Sequence, residues 1–137
     1  MGLILDSTAL INAERKGLNA RLALAQMMDN VGSSEVGISV VTALEFMHGI
    51  ARANTAERKA KRQGFLDEVL IAVPVYPVTL AIALRAGQID GANCARGLRV
   101  ALSDLLIGVT ALEAGFGVAT ANVSHFQMIP GLNVVLV

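Results

Sequence analysis

The sequence predicts an α/β protein, built as a three-layer α/β/α domain in which helices flank a short, mainly parallel sheet. Short apolar runs alternate along the chain with stretches of helical pattern, and this alternation is typical of parallel βαβ units. The runs are apolar at consecutive positions, which indicates strands that are covered on both faces. A chain of 137 residues fits one domain, so residues 1–137 are assigned to it.

In the amino-terminal half the pattern predicts two strands, over residues 2–5 and 36–40. A glycine at position 17 separates the first two helices, and the fourth helix has charges on one side and apolar side chains on the other. The predicted helices cover residues 7–15, 20–28, a segment that begins near Thr42, and 55–73.

The carboxyl-terminal half predicts three further strands and two helices. A β-branched, proline-bounded stretch gives a short strand near 73–75, and a helix follows over 79–89. The apolar segment 103–115 is a buried helix that Gly115 ends. Strands over 117–122 and 132–137 complete the sheet, the last of them at an edge.

Composition limits the function classes. Hydrophobic residues make up 54% and charged residues 16% of the chain, a surplus that suggests a buried interface between subunits. No apolar run reaches the length of a membrane span, and a single cysteine excludes an internal disulfide. The first apolar run has no basic lead, so it does not resemble a signal peptide, and we expect a cytoplasmic protein without a membrane partner.

Charge distribution is more informative than net charge. The 11 basic residues balance 11 acidic ones, so the whole molecule does not attract nucleic acid. Five of the basic residues nevertheless cluster between positions 52 and 62, and this cluster could hold phosphates or simply be a solvated helix face. Its members are Arg52, Arg58, Lys59, Lys61 and Arg62.

Three acids lie at predicted junctions that lead into helices, and each has a structural explanation. Asp6 follows the first strand and could cap the next helix. Glu45 has the capping-box spacing from Thr42, and Asp104 follows Ser103, a candidate cap, at the head of the most apolar helix. Taken one at a time, these acids need no function.

Together, the three acids predict a metal site. In parallel sheets functional groups collect beyond the carboxyl ends of the strands, so Asp6, Glu45 and Asp104 are expected to converge there. Carboxylates that close repel each other unless a cation neutralises them. A hard divalent cation such as Mg²⁺ or Mn²⁺ has this role, and phosphodiester hydrolysis is the chemistry such sites most often serve.

A fourth group of polar side chains is expected where the strand at 117–122 ends. Asn122 and Thr120 could bind a metal-bound water or a phosphate, although Asn122 could equally be a turn or cap residue. His125 is a possible supporting residue, and a surface histidine is the alternative.

Four segments in register resemble the PIN-domain ribonucleases, and most closely their VapC-type toxins. They are "LILDSTALI", "TALEF", "ALSDLLIGVTALEAG" and "VATANVSHF", and with the closing "IPGLNVVLV" they span nearly the whole chain. The resemblance implies a PIN-like α/β/α fold and an endoribonuclease that depends on Mg²⁺ or Mn²⁺. It also implies a homodimer that a small cognate antitoxin neutralises.

The resemblance assigns roles to individual residues. Asp6, Glu45 and Asp104 fall on the family's acidic positions and would hold the metal, which activates a water for attack on the RNA phosphodiester. Asn122 stands beside the position where the family commonly has a fourth acid, so one firmly held ion is expected. Ser7 and Thr8 lie next to the first acid and could bind a metal-bound water.

Three other functions remain open at this point. A PIN-fold nuclease could process RNA without an antitoxin, or the fold could serve a non-catalytic interaction module whose acids act only as helix caps. A receiver-like phosphoacceptor also holds Mg²⁺ with acids at strand ends, but it needs a lysine at a later strand end, and no lysine follows Lys61.

Overall fold

Five strands and six α-helices make up the part of the chain that the computed structural model describes, which is residues 2–33 and 35–137. The strands are β1 (Leu3–Leu5), β2 (Val36–Ser39), β3 (Val75–Tyr76), β4 (Gly117–Thr120) and β5 (Val134–Leu136). The helices are α1 (Ser7–Arg15), α2 (Ala20–Val31), α3 (Val40–Ala51), α4 (Ala56–Ala72), α5 (Leu80–Ala95) and α6 (Leu102–Ala114). A 3₁₀ turn, Val123–His125, follows β4.

The strands form one parallel sheet in the order β3-β2-β1-β4-β5. β1 lies at its centre, and its last residue, Leu5, pairs with Ile38 of β2 and Ala119 of β4. Because all three strands run in the same direction, their carboxyl ends meet at one edge of the sheet. The predicted fold class is therefore confirmed, and every strand pair is parallel.

Both faces of the sheet are covered by helices. Leu3 and Leu5 of β1 pack into a core formed with α1, α2, α3 and α4, whereas Ile4 packs into a second core with α5 and α6. Successive side chains of a strand point to opposite faces, so one consecutive apolar run supplies both cores. The first strand is therefore buried at every residue.

Two predicted helix starts are wrong. α3 begins at Val40, because the hydroxyl of Ser39 caps it by accepting from the backbone N–H of Val41 at 3.0 Å. Thr42 lies inside α3, so the capping-box interpretation of Thr42 and Glu45 fails. α6 begins at Leu102 without a side-chain cap, so Ser103 is not the capping residue.

Other boundaries differ by a few residues. Val73 still donates its backbone N–H to the carbonyl of Val69 in α4, so β3 begins at Val75 and not near residue 73. α2 and α5 extend beyond their predicted ends, to Val31 and Ala95. The residues of α5 beyond its predicted end remain helical. Asn93, one of them, is buried, and its side-chain amide donates to the carbonyl of Met128 at 3.2 Å. In the described part of the chain, no helix is long and apolar enough to span a membrane.

Candidate active site

Asp6 is a buried carboxylate at the carboxyl end of the central strand. Its backbone N–H continues the sheet by donating to the carbonyl of Ala119 at 2.9 Å, and its side chain is only 2% exposed. Oδ1 accepts from the backbone N–H of Ser7 at 2.8 Å, so Asp6 is the N-cap of α1. The capping prediction is confirmed, and the same geometry holds the carboxylate at the edge of the sheet where chemistry is expected.

Two threonine hydroxyls hold the other oxygen of Asp6. Thr8 in α1 and Thr120 at the end of β4 each donate to Oδ2 of Asp6 at 2.8 Å. The sequence suggested that Thr120 contacts a phosphate or water, but its side chain is fully buried and directed at the carboxylate. The link between Thr120 and Asp6 joins the end of β4 to the end of β1.

Glu45 is joined to Asp6 through the hydroxyl of Ser7. This hydroxyl donates to Oε1 of Glu45 at 3.1 Å and lies 3.5 Å from Oδ1 of Asp6. Glu45 is in the second turn of α3, and Thr42 fixes that helix by donating its hydroxyl to the carbonyl of Leu5 at 3.0 Å. Sequence reasoning missed this positioning contact of Thr42, although a hydroxyl just after a buried strand was a usable signal.

Asp104 completes the acidic group from the opposite layer. It lies in the first turn of α6, with a side chain 14% exposed, and its Oδ2 is 3.3 Å from Nδ1 of His125. Burial raises the pKa of the Asp104 carboxyl above its ordinary value, and the carboxylates of Asp6 and Glu45 raise it further, whereas His125 lowers it. The structure therefore brings the three predicted acids close enough to repel one another.

Asn122 and His125 lie at the rim of this site. Both side chains are exposed, and the backbone N–H of Asn122 donates to the hydroxyl of Thr120 at 2.9 Å. Asn122 stands in the turn between β4 and the 3₁₀ turn, where its side chain makes no capping hydrogen bond. His125 is thus the rim residue that contacts an acid of the site.

The donor set fits a hard divalent cation. No three His, Cys, Asp or Glu side chains within residues 2–33 and 35–137 are already arranged to hold a metal ion together. Mg²⁺ does not need such a cage, because it usually takes one or two carboxylates and keeps several waters. A cation between Asp6 and Asp104 would neutralise the repulsion that raises the pKa of Asp104.

In the described part of the chain, the basic residues between 52 and 62 make no ion pair with Asp6, Glu45 or Asp104. Arg52 follows α3, roughly 10 Å along the helix from Glu45 at 1.5 Å per residue. Arg52, Lys59 and Lys61 are exposed. The other two have partners within the chain: Arg58 donates to Oδ1 of Asn54, and Arg62 contacts the carboxylate of Glu14 at 3.6 Å and donates to the carbonyl of Gly49.

Asp104→Asn is expected to raise the melting temperature of the metal-free protein at neutral pH. The pKa of Asp104 is higher in the folded protein than in the unfolded chain, so the folded protein binds more protons between the two values. Stability therefore falls as the pH rises from the unfolded pKa through the folded one, and the loss is complete above it. Asparagine carries no charge and avoids this loss.

Calorimetry in EDTA between about pH 4 and pH 8 measures this effect, with the exposed Asp90→Asn as the matched control. The difference between variant and wild type should shrink towards the acidic end, where wild-type Asp104 is protonated in the folded state. A variant that melts below the wild type at neutral pH in EDTA contradicts the expectation.

Comparison with protein families gives one match over most of the chain. The PIN domain family matches residues 3–129. Ribonuclease VapC10 of Mycobacterium tuberculosis is 32% identical over 126 residues, which cover 92% of this chain and 86% of the relative. Ribonuclease VapC1 of Rickettsia felis is 26% identical over 137 residues, 100% of this chain and 97% of its own.

A further relative and two solved structures agree with this match. The tRNA(fMet)-specific endonuclease VapC of Salmonella typhimurium is 28% identical over 106 residues, 77% of each chain. VapBC2 from Rickettsia felis, crystallised with a promoter DNA fragment, superposes with a TM-score of 0.83 at 20% identity, covering 100% of this chain and 99% of that one. FitAcB from Neisseria gonorrhoeae superposes with a TM-score of 0.81 at 24% identity, and the match covers 98% of this chain and 96% of that one. At these identities the two structures establish a shared fold.

Proposed function

Because this chain belongs to the PIN-domain family and to its VapC-type ribonucleases, we propose that it is a metal-dependent endoribonuclease and the toxin of a toxin–antitoxin pair. The observation that carries the proposal is the gathering of Asp6, Glu45 and Asp104 at the carboxyl edge of the sheet. A buried, hydrogen-bonded carboxylate with two acidic neighbours suits hydrolysis of a phosphodiester and is more than helix capping requires.

Asp6 and Asp104 hold the Mg²⁺ or Mn²⁺ ion in this proposal, and Glu45 holds either the ion or its water shell. When bound, such an ion supplies a nucleophilic water at neutral pH and stabilises charge on the phosphate. The chain contributes a fixed geometry: the hydroxyl of Ser7 keeps Glu45 and Asp6 at a set separation. His125 and Asn122, exposed at the rim, contact the RNA backbone beside the cut.

Exposed basic side chains near the start of α4 steer the RNA backbone. Arg52, Lys59 and Lys61 are exposed and can approach phosphates, whose attraction to cations falls steeply with salt. Arg62 and Arg58 contribute less, because their guanidinium groups already contact Glu14 and Asn54.

A small antitoxin protein is the second partner in this proposal. A cavity of about 140 Å³ lies between α1, α3 and α4, and the acidic group takes Ser7 from α1 and Glu45 from α3. Ile11 and Phe46 line it, and the ion pair between Arg62 and Glu14 lies beside it. An apolar segment of the antitoxin fits this groove, with a basic side chain directed at the acids.

The protein forms a homodimer through apolar side chains exposed on α3 and α5. Leu44 on α3 is 67% exposed and Leu84 on α5 is 62% exposed, so each of these helices, which both pack against α6, offers a large apolar side chain to a second copy. We expect Leu44→Glu combined with Leu84→Glu to give a monomer in light scattering. Ile71→Glu, at an 88% exposed position on α4, is the control that should remain dimeric. A dimeric double variant would contradict this interface.

The direct test is cleavage of RNA by the purified protein. We expect endonucleolytic cuts in the presence of Mg²⁺ or Mn²⁺ and none in EDTA, on a panel that includes initiator tRNA, the substrate named for the Salmonella relative. Adding the cognate antitoxin, expected from the reading frame next to the gene for this chain, should suppress the cuts. Cleavage without that suppression would support RNA processing without an antitoxin, and no cleavage with either metal would overturn the proposal.

A further inference from the structure

We propose that Thr8 and Thr120 are positioning residues that leave a single acceptor site on Asp6 for a cation, and that they thereby favour Mg²⁺ or Mn²⁺ over Ca²⁺. The inference rests on the proposed function, which places a divalent cation at Asp6. It concerns how the chain prepares that carboxylate before any ion binds.

Oδ2 of Asp6 is fully used by the protein. Both threonine hydroxyls donate to it at 2.8 Å, and the two hydroxyl oxygens lie 3.2 Å apart. A carboxylate oxygen has two lone pairs, so two short hydrogen bonds occupy both of them. Asp6 is 2% exposed and Thr120 is fully buried, so water does not compete for these contacts.

The direction of the two hydroxyl hydrogens is fixed by the turn after β4. The backbone N–H of Ala121 donates to Oγ1 of Thr8 at 3.1 Å, and the backbone N–H of Asn122 donates to Oγ1 of Thr120 at 2.9 Å. Each hydroxyl therefore accepts from the backbone and has its own hydrogen left to donate to Asp6. Hydrogen bonds in such a chain polarise and strengthen one another.

Oδ1 of Asp6 is only partly used. It accepts from the backbone N–H of Ser7 at 2.8 Å. The single hydroxyl hydrogen of Ser7 has a nearer acceptor in Glu45, at 3.1 Å rather than 3.5 Å. One lone pair of Oδ1 is thus available to a cation, whereas Oδ2 has none.

This asymmetry discriminates between cations. Ca²⁺ takes six to eight oxygen ligands and accepts carboxylates through one or both oxygens, whereas Mg²⁺ is octahedral and binds a few single oxygens together with water. When Oδ2 is occupied by hydrogen bonds, Asp6 can bind a cation through Oδ1 only. This single oxygen is enough for Mg²⁺, whereas Ca²⁺ loses the second oxygen that it could otherwise take from the same carboxylate. Removing the hydroxyl donors lets the Asp6 side chain turn, which weakens Mg²⁺ binding. It also frees Oδ2, so that Ca²⁺ can bind both oxygens of the carboxylate.

Titration calorimetry with MgCl₂ and CaCl₂ on Thr8→Val and Thr120→Val tests the inference, with Thr8→Ser and Thr120→Ser as hydroxyl-retaining controls. We expect Mg²⁺ affinity to fall about 10- to 100-fold in the valine variants, the range found for groups that orient metal ligands. Ca²⁺ affinity should change far less, so that the Mg²⁺ to Ca²⁺ preference drops about tenfold or more. The serine variants should keep the preference of the wild type.

The outcomes separate the two proposals. If the valine variants keep the wild-type preference, or lose both ions equally, the positioning role of the threonines is overturned while the proposed function stands. If the wild type binds neither ion, or if Asp6→Asn binds as well as the wild type, the proposed metal site is overturned and this inference with it. Thr8 is only half-buried, so Thr8→Val decides the question if Thr120→Val does not fold.

Discussion

Asp6→Asn and Asp104→Asn are each expected to lower RNA cleavage by at least about 100-fold, because altering groups that merely orient metal ligands already costs about 10- to 100-fold. Asparagine keeps the size of the side chain but removes the charge that attracts the cation. Rates are measured under single-turnover conditions with Mg²⁺ and with Mn²⁺, on the RNA that the wild-type protein cuts best.

The control is Asp90→Asn, the same chemical change at an exposed position of α5. It should cleave at the wild-type rate. Asp6 also caps α1, so the melting temperature of Asp6→Asn must be measured alongside, and Asp104, which caps no helix, gives the cleaner comparison. Undiminished cleavage by Asp104→Asn in a folded protein would remove that residue from the metal site.

Phe126→Ala is expected to lower the free energy of unfolding by about 3–5 kcal/mol, a large part of the roughly 5–15 kcal/mol that holds a domain of this size together. Phe126 is fully buried and packs with Ile129 over α6 at Gly108, where an added Cβ would lie 2.5 Å from Cδ1 of Ile129. The ring therefore fastens the segment after β4, which carries Asn122 and His125, onto the second core.

Urea denaturation of the metal-free protein measures the change, and the neighbouring Met128→Ala, at a 41% exposed position, is the control. The control should lose clearly less stability than Phe126→Ala, since Met128 is partly exposed and its truncation removes less buried apolar area than loss of the fully buried ring. Equal stability of the two alanine variants would show that the segment is held by other contacts.

Sequence reasoning identified the strands best where burial left no alternative. The run Leu3–Leu5 is apolar at every position, and the structure covers it on both faces. Sequence reasoning failed at the start of α3, because more than one nearby hydroxyl could have been the N-cap, and at the start of α6, which has no side-chain cap. Ser39 and Thr42 both follow an apolar run, and only the path of the backbone decides that Ser39 caps α3 while Thr42 reaches the carbonyl of Leu5.

The sequence alone predicted the fold class and the three candidate acids, because apolar periodicity and the position of scarce charges in such surroundings are local properties of the chain, and the resemblance of four segments indicated the family. Only the tertiary structure decided which groups act on those acids. Thr120 is more than a hundred residues from Asp6 along the chain and yet donates to it at 2.8 Å. Parallel pairing of β1 with β4 produces that contact, and a linear pattern does not carry the register or the direction of a hydroxyl.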